Sequence, residues 1–330
     1  MNPPYEANVS PFQKLAWLDA CASSVGGSVR QMGSLRLLQR RLGPWTGAGL
    51  PLPKSATPLS AGLMNDADCN DRDLRGIDEW FWRSGLSFLQ VTSSTRPPAD
   101  LRASRIEPFR NLEIDLSPTC EFLWSASSQL PRRAVRKALK AGVRVHVAIP
   151  DEVKLTEHRR TARSVYEASG QLPAHTKFHH DAVVGSSLRE HAQFFSASLN
   201  DTNLGHLISI RHLDRAYYWD VAVNQTGRSV GAGHLLFWTW MRWCKRHGVT
   251  RLDLMGPPEG GRAGTAAGIG RFKLSFGAKP QDYWVVYWFR RGAGLGLDAS
   301  RVLSRLRQAN FSKLVSVTGK PTAGESSDTT

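Results

Sequence analysis

Apolar residues recur along this chain at two spacings, every second position in some stretches and every third or fourth in others. Alternation at Leu112, Ile114 and Leu116 predicts a strand over 110–116, and the same pattern predicts strands over 87–91, 143–149, 204–210, 216–223, 251–255 and 283–289. Helical spacing predicts helices over 74–85 and 152–169, and over 187–198 from Leu188, Ala192 and Phe195. A longer helical stretch is expected over 120–141, ending where Gly142 takes the left-handed position after a helix. The clearest helix is 231–247, closed by Gly248, with its stripe at Leu236, Phe237, Trp240, Met241 and Cys244. His212-Leu213-Asp214 is the expected turn between the strands 204–210 and 216–223. A short helix over 269–276 and a basic helix over 299–314 complete the pattern.

Strands interleaved with single helices predict an α/β (α+β) protein. A length of 330 residues suits two domains. The four prolines of 42–62 suggest an ordered loop at most, and the polar ends 1–12 and 319–330 are expected to be disordered. Net charge changes the picture more. Lys and Arg number 43 against 28 Asp and Glu, giving +15, an excess that draws polyanions such as nucleic acid, anionic lipid or phosphorylated substrates. It is concentrated: residues 130–177 hold eleven basic against four acidic side chains, and 290–320 seven against one. The four cysteines form no CxxC pair, which argues against a zinc ribbon or disulfide framework and fits a reducing cytoplasm. Neither a signal peptide nor a stretch of about 20 apolar residues is recognisable, so the expectation is a cytoplasmic protein, with peripheral contact to an anionic membrane open to its basic C-terminal helix.

Two segments carry candidate chemistry. In the first, Arg228-x-x-Gly231-x-Gly233 lies between a predicted strand and a predicted helix. Free N–H groups at such a helix start suit a pyrophosphate, and the spacing resembles the coenzyme A loop of GNAT acetyltransferases. An ordinary strand-to-helix turn needing glycines is the alternative. In the second, Arg251-Leu-Asp253-Leu-Met-Gly256 opens a Gly/Pro-rich loop that leads to Gly268-Ile-Gly270-Arg271-Phe272-Lys273-Leu-Ser-Phe276-Gly277-Ala278.

That second segment resembles the signature of the Fem-type peptidyltransferases, the FemAB-like branch of the GNAT superfamily. Upstream, Arg132-Arg133-Ala-Val-Arg136-Lys137-Ala138-Leu-Lys140-Ala-Gly142-Val143 looks like that family's basic helix into its second domain. The resemblance covers roughly residues 110–290. It implies tandem GNAT-like domains with mixed, mostly antiparallel sheets flanked by helices, the first domain degenerate. The expected boundaries are a disordered N-terminus at 1–14, the degenerate domain at 15–118, a basic linking helix at 119–142, the catalytic domain at 143–292, and a basic helix and disordered tail at 293–330.

The resemblance also implies a reaction: transfer of an aminoacyl group from aminoacyl-tRNA to an amine of a peptidoglycan precursor or small molecule. Lys273 would stabilise the oxyanion or the donor phosphate, Phe272 would pack the acyl or adenosine end, and Asp253 would stand at the strand end. Arg228, Gly231, Gly233 and Arg271 would hold donor phosphate. Gly256, Glu259, Gly268, Gly270, Phe276 and Gly277 would form the site loop, and Arg132, Arg133, Arg136, Lys137 and Lys140 would meet tRNA. Acyl-CoA is the alternative donor, and a non-catalytic module binding RNA or an anionic membrane surface is a third reading. No bound cofactor is expected.

Elementary chemistry agrees, since aminolysis of an ester needs an oriented amine and a cation at the oxyanion but no protein nucleophile. Lys273 could otherwise be a solvated helix lysine. Asp253 serves as acid/base or as a cap on the following loop, and Glu259 is a candidate base. His175, His179, His180 and Asp181 have metal-like spacing but no Glu-x-x-His companion, so a polar loop is preferred and no metal is expected.

Overall fold

The computed structural model describes residues 15–32, 35–42, 45–49, 71–93, 95–168, 177–185, 187–255, 265–290, 292–295 and 298. The expectations for 1–14, for most of the 42–62 segment, for Gly256 and Glu259, and for the helix over 299–314 lie outside them.

The first elements are α1 (Leu15–Val25), β1 (Ser28–Met32), β2 (Leu35–Leu42), β3 (Trp45–Gly49), α2 (Asp71–Arg83), β4 (Phe88–Ser93) and β5 (Arg105–Asp115). Then come α3 (Cys120–Ala126), α4 (Gln129–Lys140), β6 (Arg144–Ala148), α5 (Glu152–Ala168) and α6 (Lys177–Val184). A short 3-10 helix (Ser187–His191) precedes β7 (Ala192–Leu199), β8 (Thr202–His212) and β9 (Arg215–Val223). The last elements are α7 (Gln225–Val230), α8 (Ala232–Arg246), β10 (Arg251–Asp253), α9 (Thr265–Ser275) and β11 (Lys279–Phe289).

The eleven strands of the described residues join in one sheet of order β1-β2-β3-β4-β11-β5-β10-β9-β8-β7-β6. Among the described strands only β3–β4 and β9–β10 pair in parallel, as the mixed, mostly antiparallel α/β class requires. Strand β11 is inserted between β4 and β5, with Val286 opposite both Val91 and Ile106. One face carries a core running from Trp17, Leu18, Leu74 and Phe81 to Leu155, Val183, Phe194, Ile208, Tyr217 and Trp219. This is the side covered by α1, α2, α5 and α6. The other face packs Leu112, Ile114, Leu207, Ala216 and Leu252 beneath α3, α4 and α8, with Phe272 and Phe276 joining from the α9 side. Buried apolar area on both faces, worth roughly 25 cal/mol per Å2, is the main force closing these layers.

Four expectations are corrected. The predicted helix over 120–141 is two helices, because Ser127 turns extended (φ −66°, ψ 143°) and sends both its N–H and its hydroxyl to the Leu123 carbonyl. Pro131 then falls in the first turn of α4, where a missing N–H costs nothing. The helix predicted over 187–198 is the 3-10 turn followed by β7. Phe194 packs in one core and Phe195 and Ala197 in the other, so both faces of β7 are covered and the two-residue period is hidden. Part of the 42–62 loop is strand β3. The His179-His180-Asp181 loop is helix α6, with both histidines buried, and His175 lies outside the described residues.

Candidate active site

Strand β10 ends after three residues because the chain leaves the sheet at Met255. Leu254 still donates its N–H to Leu112 O at 2.9 Å. Met255 then adopts a left-handed φ of 62°, and its N–H donates to Asp253 Oδ1 at 2.7 Å. Neighbouring β9 runs on to Val223, beyond Tyr217, the partner of Asp253. A bulge at Trp219, between Tyr218 opposite Ser209 and Asp220 opposite Ile208, bends β9 further. On the far side, β5 turns to its other neighbour, β11. Among the described residues no strand pairs with β9 or β5 in the space beyond Asp253.

Alternation along β10 sends Leu252 and Leu254 toward α8, and Asp253 to the opposite face. There Asp253 meets Arg215, whose Nη1 lies 3.7 Å from Asp253 Oδ2 and 3.4 Å from Glu113 Oε1. Tyr283 donates its hydroxyl to the same Glu113 oxygen at 2.6 Å. Burial pushes the Asp253 carboxyl up to about 6, with Glu113 repulsion adding and Arg215 opposing. Burial acts against the charge on Arg215, but Tyr217, Asp253, Glu113 and Tyr283 hold its pKa above the ordinary value.

The sign of the resulting pH dependence follows from the raised carboxyl. Its contribution to stability is complete below the unfolded value near 4 and is lost as pH rises through about 6. Wild-type stability relative to Asp253→Asn should therefore fall by about 2.5 kcal/mol between pH 4 and pH 7. Urea unfolding of both proteins across that range checks it, and a flat difference would overturn the assignment.

On the α8 face, three candidate segments converge. Asn224 caps α7, accepting the Gly227 N–H at 2.8 Å, so the Arg228 segment is a short helix. Arg228 is exposed and its Nε donates to Val223 O at 3.1 Å. Gly231 joins α7 to α8 with φ +85°, and a Cβ there would stand 2.5 Å from the Ala134 carbonyl of α4. Lys137 of α4 donates to Ser229 O at 2.7 Å, which seats the basic helix against the same junction.

One position beyond Gly233, His234 on the first turn of α8 meets Phe272 edge to face, with ring centroids 5.0 Å apart. Phe237, one turn on, meets Phe272 at 5.3 Å and Phe276 at 4.4 Å. Spacing of three to four residues puts these rings on one side of each helix. The Arg228-x-x-Gly231-x-Gly233 segment and the Phe272-Lys273 pair are thereby brought together.

Lys273 is 1% exposed, among the largest fully buried side chains, so it is not a solvated helix lysine. Gly270 is also buried, Gly268 half-buried, and Arg271 and Gly277 exposed, Gly277 in the left-handed turn that ends α9. The Ser128 N–H donates to Ser275 O at 2.8 Å and ties the α3–α4 break to α9. Arg133, Arg136, Lys137 and Lys140 are exposed along α4 and Arg132 is half-buried, with Arg136 over the Trp124 ring. Asp253 does not join this group. His234 is the titratable group that sequence reasoning missed: burial pulls its pKa below the usual histidine value, and only its place beside Gly233 could have flagged it.

Residues 129–273 match the family model of the acetyltransferase (GNAT) domain, which spans α4, α7, α8 and Lys273. The match covers 145 of the 330 residues and marks this segment as a GNAT-type domain of the acyltransferase class. In fold the chain is Fem-like: FemX is similar over 83% of this chain and 92% of its own, with TM-score 0.63 and 13% identity. The C-terminal domain of a putative lysylphosphatidylglycerol synthetase from Agrobacterium fabrum is similar over 86% and 90% (TM-score 0.58, 13% identity). L-PGS from Bacillus licheniformis is similar over 90% and 98% (TM-score 0.55, 12% identity). No curated protein matches the chain significantly.

Proposed function

We propose that this acyltransferase is an aminoacyltransferase that takes its aminoacyl group from aminoacyl-tRNA and gives it to an amine, on a peptidoglycan precursor or a small molecule. The observation that carries the reading is Lys273, buried beside Phe272 where α9 meets the first turn of α8, with the basic face of α4 alongside. Burial takes Lys273 out of bulk water, where a cation acts on nearby charge more strongly than at an exposed site. Similarity in fold to FemX and to a synthetase of lysylphosphatidylglycerol, an aminoacylated lipid, supports the same reaction class.

In this reaction the acceptor amine attacks the ester carbonyl carbon and a C–N bond forms. Negative charge collects on the carbonyl oxygen, where the Lys273 ammonium stabilises it. Collapse breaks the C–O bond, the amine proton leaves, and the terminal adenosine hydroxyl departs protonated. Phe272 packs the donor end, and Arg228, Arg271 and the start of α8 offer positive charge to phosphate. Exposed Arg133, Arg136 and Lys140 meet the acceptor arm of the tRNA.

Acyl-CoA is the second reading, favoured by Arg228 and the Gly231–Gly233 junction at the start of α8. Incubating the full chain with mixed charged tRNAs, and separately with acyl-CoAs, decides between them: consumption of charged tRNA is expected, and turnover with acyl-CoA alone overturns the tRNA reading. The triple variant Arg133→Glu, Arg136→Glu, Lys140→Glu should weaken tRNA binding and lower the slope of log K against log salt by about 1 for each phosphate no longer neutralised. Filter binding at several salt concentrations measures both, and an unchanged slope removes α4 from the tRNA-binding surface.

A further inference from the structure

Three side chains far apart in sequence meet on the sheet face opposite Phe272. His158 comes from α5, His180 from α6 and Asp220 from β9, with relative exposures of 0%, 2% and 7%. The Nε2 atoms of both histidines lie 3.0 Å from the same oxygen, Asp220 Oδ2. One ligand-type atom from each of the three residues falls within 4.8 Å of the others. The β9 bulge makes this possible: it shifts the side-chain alternation so that Trp219 and Asp220 both face α5 and α6.

A hydrogen-bonded His–Asp–His network would explain part of this. His180 fits it, since its contact with Asp220 has hydrogen-bond geometry. His158 does not. Its Nε2 is equally close to the carboxylate but is not aligned for a hydrogen bond, and among the described residues neither of its ring nitrogens has a hydrogen-bond partner. A fully buried imidazole left in that state loses the hydration of both nitrogens without replacement. Coordination of its Nε2 lone pair restores part of that loss.

The donor set selects the ion. Two neutral imidazoles and one carboxylate suit zinc and its first-row neighbours, whereas calcium and magnesium call for oxygen ligands. Metal–ligand distances near 2.1 Å in a tetrahedron put ligand atoms about 3.4 Å apart, within reach of the two 3.0 Å nitrogen–oxygen distances and the 4.8 Å limit on the set.

We propose that His158, His180 and Asp220 bind one divalent ion of the zinc class, which holds α5 and α6 against the arm of β9 that extends past β10. Three protein ligands leave one position for water or a fourth side chain. The His206 ring, 5.8 Å from that of His158, stands beside the site. The site lies across the sheet from Phe272, so it stands apart from the acyl-transfer reading and can fail independently of it.

The test uses the full chain without an oligohistidine tag, stripped by a chelator and then titrated with Zn2+ and with Co2+. Elemental analysis should find one zinc per chain, and Co2+ should give the intense visible bands of a tetrahedral N/O site. Zn2+ should raise the Tm of the stripped protein. His180→Gln and Asp220→Asn should each weaken binding at least tenfold and abolish the Tm shift, while His247→Gln, at an exposed ring, should change neither. Should the variants fail to fold, the wild-type titration alone decides. Absence of stoichiometric Zn2+ and Co2+ uptake overturns the proposal, as does uptake unchanged in folded His180→Gln and Asp220→Asn.

Discussion

Lys273→Met lowers acyl transfer by about 100- to 1000-fold and leaves the fold intact. The magnitude is that of losing one group aimed at a tetrahedral oxyanion. Methionine is the informative replacement because the lysine is buried and methionine nearly conserves its volume. Lys273→Ala should lose as much activity and also some stability, through the space it opens. The measurement is kcat/KM with the productive donor, alongside Tm and circular dichroism. A Lys273→Met protein within about threefold of wild type would show that the ammonium takes no part in the reaction.

Gly231→Val should destabilise the protein by about 4 kcal/mol, enough to unfold a marginally stable chain. Two costs combine. The left-handed φ of +85° is strained for any side chain and worst for a β-branched one. The Cβ itself would meet the Ala134 carbonyl at 2.5 Å, and neither backbone can yield without moving α4 off the start of α8. Gly233→Ala is the control two residues on, where a Cβ would find only Val223 side-chain atoms at 3.5 Å and beyond. Denaturant unfolding of both variants checks the contrast. Equal stability would mean that the close packing of α4 against this junction does not hold in solution.

The same junction shows where sequence reading reaches its limit. The stripe from Leu236 to Cys244 identifies α8 without ambiguity, because one face of that helix is buried and the other is not. Strand β5 is legible for the matching reason at Leu112 and Ile114. In β7 both faces are buried, the period disappears, and Leu188, Ala192 and Phe195 imitate a helix. The Phe272-Lys273 motif is readable as a string, but its approach to His234 depends on how α9 folds back on α8. His158, His180 and Asp220 have no local spacing at all. They meet because a single extra residue, Trp219, changes the side to which Asp220 points, and no pattern of apolar positions records a bulge.

The insertion of β11 between β4 and β5 sets a schedule for synthesis. Those two strands are made early, yet the strand that belongs between them is at the far end of the described chain. At 5–20 residues per second, translation from Asp115 to Phe289 takes roughly 10–35 s. Throughout that interval Phe88–Ser93 and Arg105–Asp115 lack their common neighbour and present open strand edges, ready templates for pairing with another chain. Slow translation of the stretch between β5 and β11 lengthens the time these edges stay open to such pairing.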